Sequence, residues 1–252
     1  MADNKKFWEF KAKAGSKDEA DLYLYIEIAS WGGGYCAHSA QSFKRELDAL
    51  GDIKTLNVYI NCPGGDVFEG NSIYNMLKRK SSTCRINMYV DGMAASIASV
   101  ILMAGTHITM PSNAMVMIHQ SLGNPYGHAE DLRKCADILD KIDENMKNTY
   151  IDRSNGKLDA ETIENWFATG DTWLTAQECY NYGLCDEITG AIKISAKYDS
   201  KVLGNYKNVP KAFLNTKEDE NEHKQEPKAE MNEETKAMIA RINAKKSQWN
   251  FN

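Results

Sequence analysis

Strand patterns and helical patterns alternate along the first half of the chain, and this alternation constrains the fold more than any other feature. Short runs of β-branched and aromatic residues predict strands at 21–30, 55–61, 85–90, 107–110 and 114–119. Apolar residues at helical spacing predict helices at 39–50, 70–80 and 95–105. Strands that alternate with helices indicate an α/β fold with a largely parallel sheet that is buried on both faces.

A long helical pattern follows at 128–151. Its larger apolar residues form a narrow seam with spacings of three, four, three and four: Leu132, Cys135, Leu139, Ile142 and Met146. Such a seam suits either a helix lying on its own domain or a helix contacting another subunit. Residues 162–188 then predict a short helix, a loop, a second short helix and a final strand.

The domain organisation predicted from these patterns has three parts within the 252 residues. Residues 1–19 form an N-terminal extension, 20–205 form the folded domain, and 206–252 form a charged, disordered tail. The stretch 216–230 contains no apolar residue larger than alanine, so it cannot bury enough surface to become ordered. We therefore expect the whole tail to be dispensable for the chemistry.

The charge and hydropathy of the chain exclude several classes of partner. A net charge of −5 gives no electrostatic case for binding nucleic acid or an anionic membrane surface. No apolar run is long enough to span a bilayer, and the first twenty residues lack the apolar core of a secretory signal. A cytoplasmic protein is the expectation.

Six cysteines are scattered along the sequence, at positions 36, 62, 84, 135, 179 and 185. None forms a CxxC pair, and none has a histidine at zinc-ligand spacing. Several lie in apolar strand or helix patterns, where a thiol behaves as a small hydrophobic group. We predict reduced, structural cysteines, with no metal site and no cofactor.

Ser96 lies in the stretch YVDGMAASIAS, where a predicted strand breaks at Gly92 and small residues lead into a predicted helix. The small residues could serve only close packing, or they could display a serine nucleophile at the corner. A nucleophilic serine needs a base and a third group that orients the base. His119 ends an apolar strand, where open α/β sheets place catalytic side chains. It could equally be a hydrogen-bonded histidine at a strand edge.

A second candidate feature is NCPGGDVFEG, residues 61–70. Acyl transfer needs two backbone N–H groups directed at the developing oxyanion. The amide of Ile97 can supply one, and the glycine corner 63–65 can supply the other, because glycine allows a close backbone approach. Residues 66–68 could then run extended as an edge for a peptide. The predicted substrate-binding residues are Gly64, Asp66, Val67, Gln120 and Ser121.

Three stretches together resemble the proteolytic subunit of the Clp protease family, in order and spacing, across roughly residues 20–190. They are YINCPGGDVFEGNSIYNML, YVDGMAASIASVILMAGTHITMPSNAMVMIHQSLG and TGDTWLTAQECYNYGLCDEI. The resemblance implies a Clp/crotonase-type fold of repeated strand-helix units with a long protruding helix. It assigns Ser96 as nucleophile, His119 as base and Asp171, in DTWLTA, as the orienting acid. Asp186 and Glu187 are nearby rivals for that acid.

The same resemblance places the oxyanion amides on Gly65 and Ile97. It is strongest to the Clp-like proteases of phages and prophages that mature the phage head. It thus implies capsid or scaffold proteins as substrates, assembly with copies of the same chain into a ring, and action in the bacterial host cytoplasm or within the procapsid. Two rival functions share features of the sequence: a crotonase-type acyl-CoA enzyme, and a non-catalytic assembly or scaffolding protein.

The sequence departs from the family pattern at two places. Cys62 stands where the housekeeping enzymes usually carry serine, and a packing role is the favoured interpretation of its thiol. The segment KKFWEFKAKAGSKDEA does not resemble the one that docks the AAA+ unfoldase in those enzymes. This difference argues against an AAA+ unfoldase as a partner.

Overall fold

The computed structural model describes residues 6–13, 15–29, 39–192, 204 and 206–210. The strands in this part of the chain are β1 (Glu9–Ala12), β2 (Glu19–Leu24), β3 (Thr55–Cys62), β4 (Arg85–Ala95), β5 (His107–Pro111), β6 (Met115–Ile118), β7 (Thr172–Thr175) and β8 (Glu187–Thr189). The helices are α1 (Ala40–Ala49), α2 (Val67–Lys80), α3 (Ile97–Leu102), α4 (Ala129–Ser154), α5 (Ala160–Thr169) and α6 (Ala176–Asn181).

All eight of these strands belong to one sheet, in which β1, β2, β3, β4, β5 and β8 are neighbours in that order. Along one edge, strand β4 pairs with two different strands: its first half pairs with β5 and its second half pairs with β6. Strand β6 in turn pairs with β7. Only the β1–β2 and β6–β7 pairings are antiparallel among the pairs described. The largely parallel α/β sheet predicted from the sequence is confirmed.

The predicted burial of the sheet on both faces does not hold for one part of it. Tyr23, Tyr59 and Tyr89 lie side by side on β2, β3 and β4 and are only half-buried. Their rings stack with centroid separations of 5.0 and 5.1 Å. The opposite face, with Leu22, Val58 and similar residues, is fully buried against the helices.

Several element boundaries differ from the predicted ones. Strand β4 does not break at Gly92 but continues to Ala95, because that half of the strand is held by the ladder to β6. Strand β2 stops at Leu24 rather than near residue 30. Helix α2 begins at Val67, three residues earlier than predicted, because the Asp66 carboxylate accepts the N–H groups of the first turn.

The predicted N-terminal extension contains part of the folded sheet. Strand β1 pairs with β2, and three aromatic side chains beside it, Phe7, Trp8 and Phe10, are buried in the main core. Two of them pack against Phe43 of α1, with ring centroids 5.8 and 5.2 Å away. Residues 6–13 therefore contribute to the domain rather than lying outside it.

The long helix α4 uses its apolar seam in two different ways. The seam residues Ile142 and Met146, in its second half, are buried in the core of the same chain, as is Tyr150 beyond them. The seam residue Leu132, in its first half, is 44% exposed, and Ile138, which is not part of the seam, is 51% exposed. The predicted seam therefore packs on its own domain at one end and protrudes at the other.

Five of the six cysteines lie among the described residues, and each is a free thiol. Cys36 lies outside them. Across the same part of the chain, no helix has both the length and the apolar character that crossing a membrane requires. No group of three or more histidine, cysteine or acidic side chains there is arranged to hold a metal ion.

Candidate active site

Ser96 occupies the single residue between strand β4 and helix α3. Its backbone has φ 55° and ψ −131°, a conformation that costs a non-glycine residue roughly 1–3 kcal/mol. Two backbone hydrogen bonds hold it there: the Ser96 N–H donates to the Met117 carbonyl at 2.9 Å, and the Ser99 N–H donates to the Ser96 carbonyl at 2.9 Å. The strained turn displays the Ser96 hydroxyl at the wall of a cleft.

The register between β4 and β6 brings His119 to Ser96. Ala95 lies opposite Met117 in this parallel pair, so the chain leaves both strands at the same edge of the sheet. His119 Nε2 lies 2.7 Å from Ser96 Oγ, within hydrogen-bonding distance. The structure thus brings together the two side chains that sequence reasoning singled out from a strand-helix corner and a strand end.

The register between β6 and β7 brings Asp171 to the other side of the same imidazole. Ile118 lies opposite Thr172 in this antiparallel pair, so His119 and Asp171 are the next residues beyond the ladder. His119 Nδ1 lies 3.3 Å from Asp171 Oδ1, and both side chains are largely buried. Ser96, His119 and Asp171 therefore form a continuous line of polar contacts.

The two rival acids lie elsewhere. The Asp186 carboxylate accepts a hydrogen bond from Arg153 at 2.6 Å and another from the backbone N–H of Ile108 at 2.7 Å. Glu187 lies beside His107, with 3.2 Å between the carboxylate and the ring nitrogen. Among the three acids considered, only Asp171 contacts His119.

The environment of His119 favours its neutral form. Burial lowers the pKa of the imidazole below its ordinary value of 6.5, while the charges of Asp171 and Asp143 act in the opposite direction and are outweighed. Asp143 is itself buried and accepts the backbone N–H of Ser121 at 2.7 Å. A neutral imidazole with Nδ1–H directed at Asp171 leaves Nε2 free to accept the proton of the Ser96 hydroxyl.

Two residues that line the cleft, Gly65 and Ile97, have backbone N–H groups that no described hydrogen bond uses. Gly65 has φ +137° and forms a bridge with Ile28, in which the Gly64 carbonyl and the Asp66 N–H make the two hydrogen bonds. That bridge leaves the Gly65 N–H without an acceptor in the part of the chain described. The Ile97 N–H opens helix α3 and likewise has no acceptor within its helix. Gly65 and Ile97 both line the cleft.

The glycine loop 63–65 can approach Ser96 only because Gly64 lacks a side chain. A Cβ atom at Gly64 would lie 2.6 Å from Ser96 Cβ and 2.7 Å from the Ala95 carbonyl oxygen. At Gly65 it would lie 2.0 Å from the Ile28 carbonyl oxygen. All three distances are far below van der Waals contact, so these two glycines are required sterically.

The cleft has a volume of about 370 Å³. The predicted site residues that line it are Gly65, Asp66, Val67, Ser96, Ile97, His119 and Ser121, whereas the predicted substrate-binding residues Gly64 and Gln120 do not line it. The remaining lining residues are Glu27, Phe68, Leu122, Met146 and Tyr206. The prediction that 66–68 runs extended is wrong, because Asp66 caps helix α2 and the helix begins at Val67.

Sequence reasoning missed one segment of the site, residues 206–210. The Tyr206 ring lies edge-on to His119, with centroids 6.0 Å apart, and its hydroxyl donates to the Pro63 carbonyl. The backbone N–H of Lys207 donates to Asp171 Oδ2. The only sequence signal was a short run with an aromatic and apolar residues just before the charged stretch. The segment formed by the first five residues of the predicted tail therefore contacts the site, whereas 211–252 lie outside the described residues.

Cys62 directly precedes the glycine loop 63–65 and is fully buried. Burial raises the pKa of its thiol to about 12, so the thiol remains protonated at neutral pH. It donates to the Ile26 carbonyl at 3.2 Å, and the Gly64 N–H lies 3.4 Å from the sulfur. A protonated, enclosed thiol is a packing group rather than a nucleophile.

Comparison with known proteins, by a family model and by individual relatives, identifies the same family in each case. The family model described as Clp protease matches residues 32–191, more than half of the chain. A protein of Bacteroides fragilis named ATP-dependent Clp protease proteolytic subunit is 34% identical over 157 residues, covering 61% of this chain and 73% of its own length. Proteins of the same name from Bacteroides thetaiotaomicron (34% identical, 61% and 69% covered) and Porphyromonas gingivalis (36%, 61% and 68%) match the same length of chain.

The observed sheet and helices agree with the fold of that family. The matched region contains the strand-helix corner, the strand end and all the residues that line the cleft except Glu27 and Tyr206. The chain belongs to the Clp protease family and is a serine-type peptidase.

Proposed function

We propose that the chain is an endopeptidase in which Ser96, His119 and Asp171 form the catalytic triad. The observation that carries the proposal is the unbroken line of contacts from Ser96 Oγ to His119 Nε2 at 2.7 Å, and from His119 Nδ1 to Asp171 Oδ1 at 3.3 Å. A triad is recognised by this geometry rather than by the order of its residues in the chain.

In the proposed reaction, Ser96 Oγ attacks the carbonyl carbon of the scissile peptide bond while His119 Nε2 takes the hydroxyl proton. Asp171 keeps Nδ1 protonated and stabilises the imidazolium that forms. His119 then gives the proton to the leaving amine as the carbon–nitrogen bond breaks. Water attacks the resulting ester with His119 again as base, which releases the acid product and restores Ser96.

The developing oxyanion is the group that the two unused amides are proposed to bind. Gly65 and Ile97 line the cleft from two different elements: Gly65 lies in the loop 63–65 after β3, called here the oxyanion loop, and Ile97 lies in the first turn of α3. Backbone donors held rigidly in this way stabilise the transition state more than the ground state. Removing one such donor typically lowers kcat by roughly 100- to 1,000-fold.

The biological role proposed is maturation of a phage or prophage head, with capsid or scaffold proteins as substrates in the bacterial host cytoplasm. Its support is the motif resemblance in residues 59–77, 89–123 and 169–188. Self-association is part of the proposal, since the exposed Leu132 and Ile138 on α4 offer an apolar contact. The named relatives are ATP-dependent, but the N-terminal segment gives no support for an ATPase partner here.

The triad is tested with a fluorophosphonate probe and intact-mass spectrometry. The wild type is expected to gain one probe per chain, located on Ser96 by peptide mapping. Ser96→Ala and His119→Ala should not be labelled, whereas Ser112→Ala, which removes an exposed serine outside the cleft, should be labelled like the wild type. Full labelling of Ser96→Ala would contradict the assignment.

The role in head maturation needs a separate test. The genes that neighbour this one would be searched for capsid and scaffold proteins, and those found would be purified and incubated with the wild type or with Ser96→Ala. Discrete cleavage by the wild type alone is expected. If the wild type reacts with the probe but leaves every such protein intact, the triad stands and the head-maturation role is wrong.

A further inference from the structure

Residues 206–210, called here the 206–210 segment, cross the edge of the site where β6 and β7 end. Val209 packs on an apolar patch that contains Met93, Ala95 and Met117, and Tyr206 packs there too. The Trp173 indole contacts Tyr206 edge-on, with ring centroids 6.3 Å apart. The segment is thus attached to the strands that position the triad.

The backbone of Lys207 contacts the acid of the triad directly. Asp171 has two carboxylate oxygens: Oδ1 faces His119, and Oδ2 accepts the Lys207 N–H. No other hydrogen bond to Oδ2 is found within the described part of the chain. The Lys207 carbonyl in turn accepts the Trp173 indole N–H at 3.2 Å. Both the backbone N–H and the backbone carbonyl of Lys207 are therefore hydrogen-bonded. A donor on Oδ2 restricts rotation of the carboxylate and keeps Oδ1 at Nδ1.

Tyr206 connects the base of the triad to the oxyanion loop. Its ring lies against the His119 imidazole at an interplanar angle of 72°, and its hydroxyl donates to the carbonyl of Pro63, which precedes Gly64 and Gly65. An edge-on aromatic contact restricts the ring plane of the histidine. The Tyr206 side chain therefore contacts both His119 and the loop 63–65, which are far apart in the sequence.

The segment borders the cleft and does not fill it. Tyr206 is one wall of the open volume that reaches Ser96, and the contact between Ser96 and His119 is intact beside it. We infer that the 206–210 segment is a positioning element for catalysis, in which the Lys207 N–H fixes the Asp171 carboxylate and Tyr206 fixes the imidazole and the oxyanion loop. This inference rests on the proposed triad.

A comparison at position 207 of the full-length chain isolates the N–H group. Lys207→Pro removes the side chain and the N–H, whereas Lys207→Ala removes the same side chain and keeps the N–H. The measured quantity is kcat of Lys207→Pro divided by kcat of Lys207→Ala, with a short fluorogenic peptide as substrate. We expect kcat of Lys207→Pro to be roughly 10- to 100-fold below that of Lys207→Ala, because a small misplacement of a catalytic group has effects of that order.

The pattern of the loss distinguishes positioning from a general structural effect. Because the lost interaction acts mainly in the transition state, KM should change by less than about threefold. The charge of Asp171 raises the pKa of His119, so a loosened carboxylate should move the acid limb of the pH–kcat/KM profile to lower pH. Lysine replaced by its α-hydroxy analogue at 207, which exchanges N–H for O without the proline ring, should show the same changes.

The outcomes separate this inference from the proposed function. A wild type that the fluorophosphonate probe fails to label at Ser96 would refute the triad and the inference together. A labelled wild type with equal kcat for Lys207→Pro, the α-hydroxy variant and Lys207→Ala would overturn the positioning role alone. Faster hydrolysis in the variants that lack the N–H would also overturn it, because the segment would then be inhibitory. If Lys207→Pro does not fold, the α-hydroxy variant decides.

Discussion

Directly behind the nucleophile, a buried pair of hydroxyl groups joins helix α3 to helix α4. Ser99 Oγ lies 2.7 Å from the Tyr150 hydroxyl and 2.5 Å from the Ser96 carbonyl oxygen, to which it donates. Because Ser99 has one proton, Tyr150 must be the donor to Ser99. Both side chains are fully buried, so neither hydroxyl can exchange its partner for bulk water.

The two single substitutions should therefore have unequal costs. Ser99→Ala leaves the Tyr150 hydroxyl buried without a partner among the described residues, which costs roughly 1–3 kcal/mol of unfolding free energy. Tyr150→Phe removes the donor and leaves Ser99 bonded to Ser96, which costs about 1 kcal/mol. The double variant removes both polar groups together and leaves no orphaned hydroxyl, so it should be more stable than Ser99→Ala.

Urea unfolding followed by circular dichroism, at one fixed protein concentration, measures this double-mutant cycle. The concentration is fixed because self-association would add to the apparent stability. We expect a coupling energy of about 1–2 kcal/mol between the two sites, well above the error of additivity. If the costs simply add, or if the double variant is the least stable of the four proteins, the hydroxyl pair does not form as described.

Three further predictions concern the acid limb, the oxyanion loop and self-association. Since burial lowers the pKa of His119, the acid limb of kcat/KM should have its midpoint below 6.5, and a midpoint above 6.5 would contradict a buried base. Gly65→Ala should reduce peptide hydrolysis by about 100-fold or more, because its Cβ would clash with the Ile28 backbone carbonyl and displace an oxyanion donor; activity near that of the wild type would count against this role. Leu132→Asp with Ile138→Asp should lower the mass measured by light scattering without lowering secondary structure, and an unchanged mass would remove α4 as the subunit contact.

Much of the site was predictable because its strongest signals are local. A strand followed by small residues predicts a tight corner at Ser96, and an apolar strand ending in a histidine predicts a side chain at the edge of the sheet. The exact partner of that histidine was not a local property. Asp171 faces His119 because Ile118 lies opposite Thr172. These two residues are 54 positions apart, and the pairing register between their strands cannot be predicted from the sequence of either strand alone.

The errors also have physical causes. Gly92 was interpreted as a strand break because glycine weakens strands in isolation, whereas the ladder from Met93 to Ala95 with β6 carries β4 through it. Residues 66–68, beyond the glycine corner, were expected to run extended as an edge for a peptide. The Asp66 side chain instead caps the first turn of α2, a signal that was present in the sequence.

The apolar seam on α4 shows that helical periodicity alone does not predict which of its residues are buried. Leu132, Ile142 and Met146 look alike in the helical pattern, yet Met146 and Ile142 are buried in the core while Leu132 is 44% exposed. The pattern records that each residue lies on one side of the helix. It does not record that the domain ends partway along, so that the first half of α4 extends past its own core. Charges placed at Ile142 would therefore test folding rather than assembly.

The three proposed catalytic groups are not held equally well by the sheet, and this explains why the 206–210 segment contacts the acid. Ser96 and His119 follow β4 and β6, and β4 is a central strand paired on both sides. Asp171 precedes β7, a four-residue strand that pairs only with β6 among the strands described. Short edge strands open most readily, so of the three groups Asp171 gains most from a second attachment. The Lys207 N–H supplies that attachment at the oxygen not used by His119.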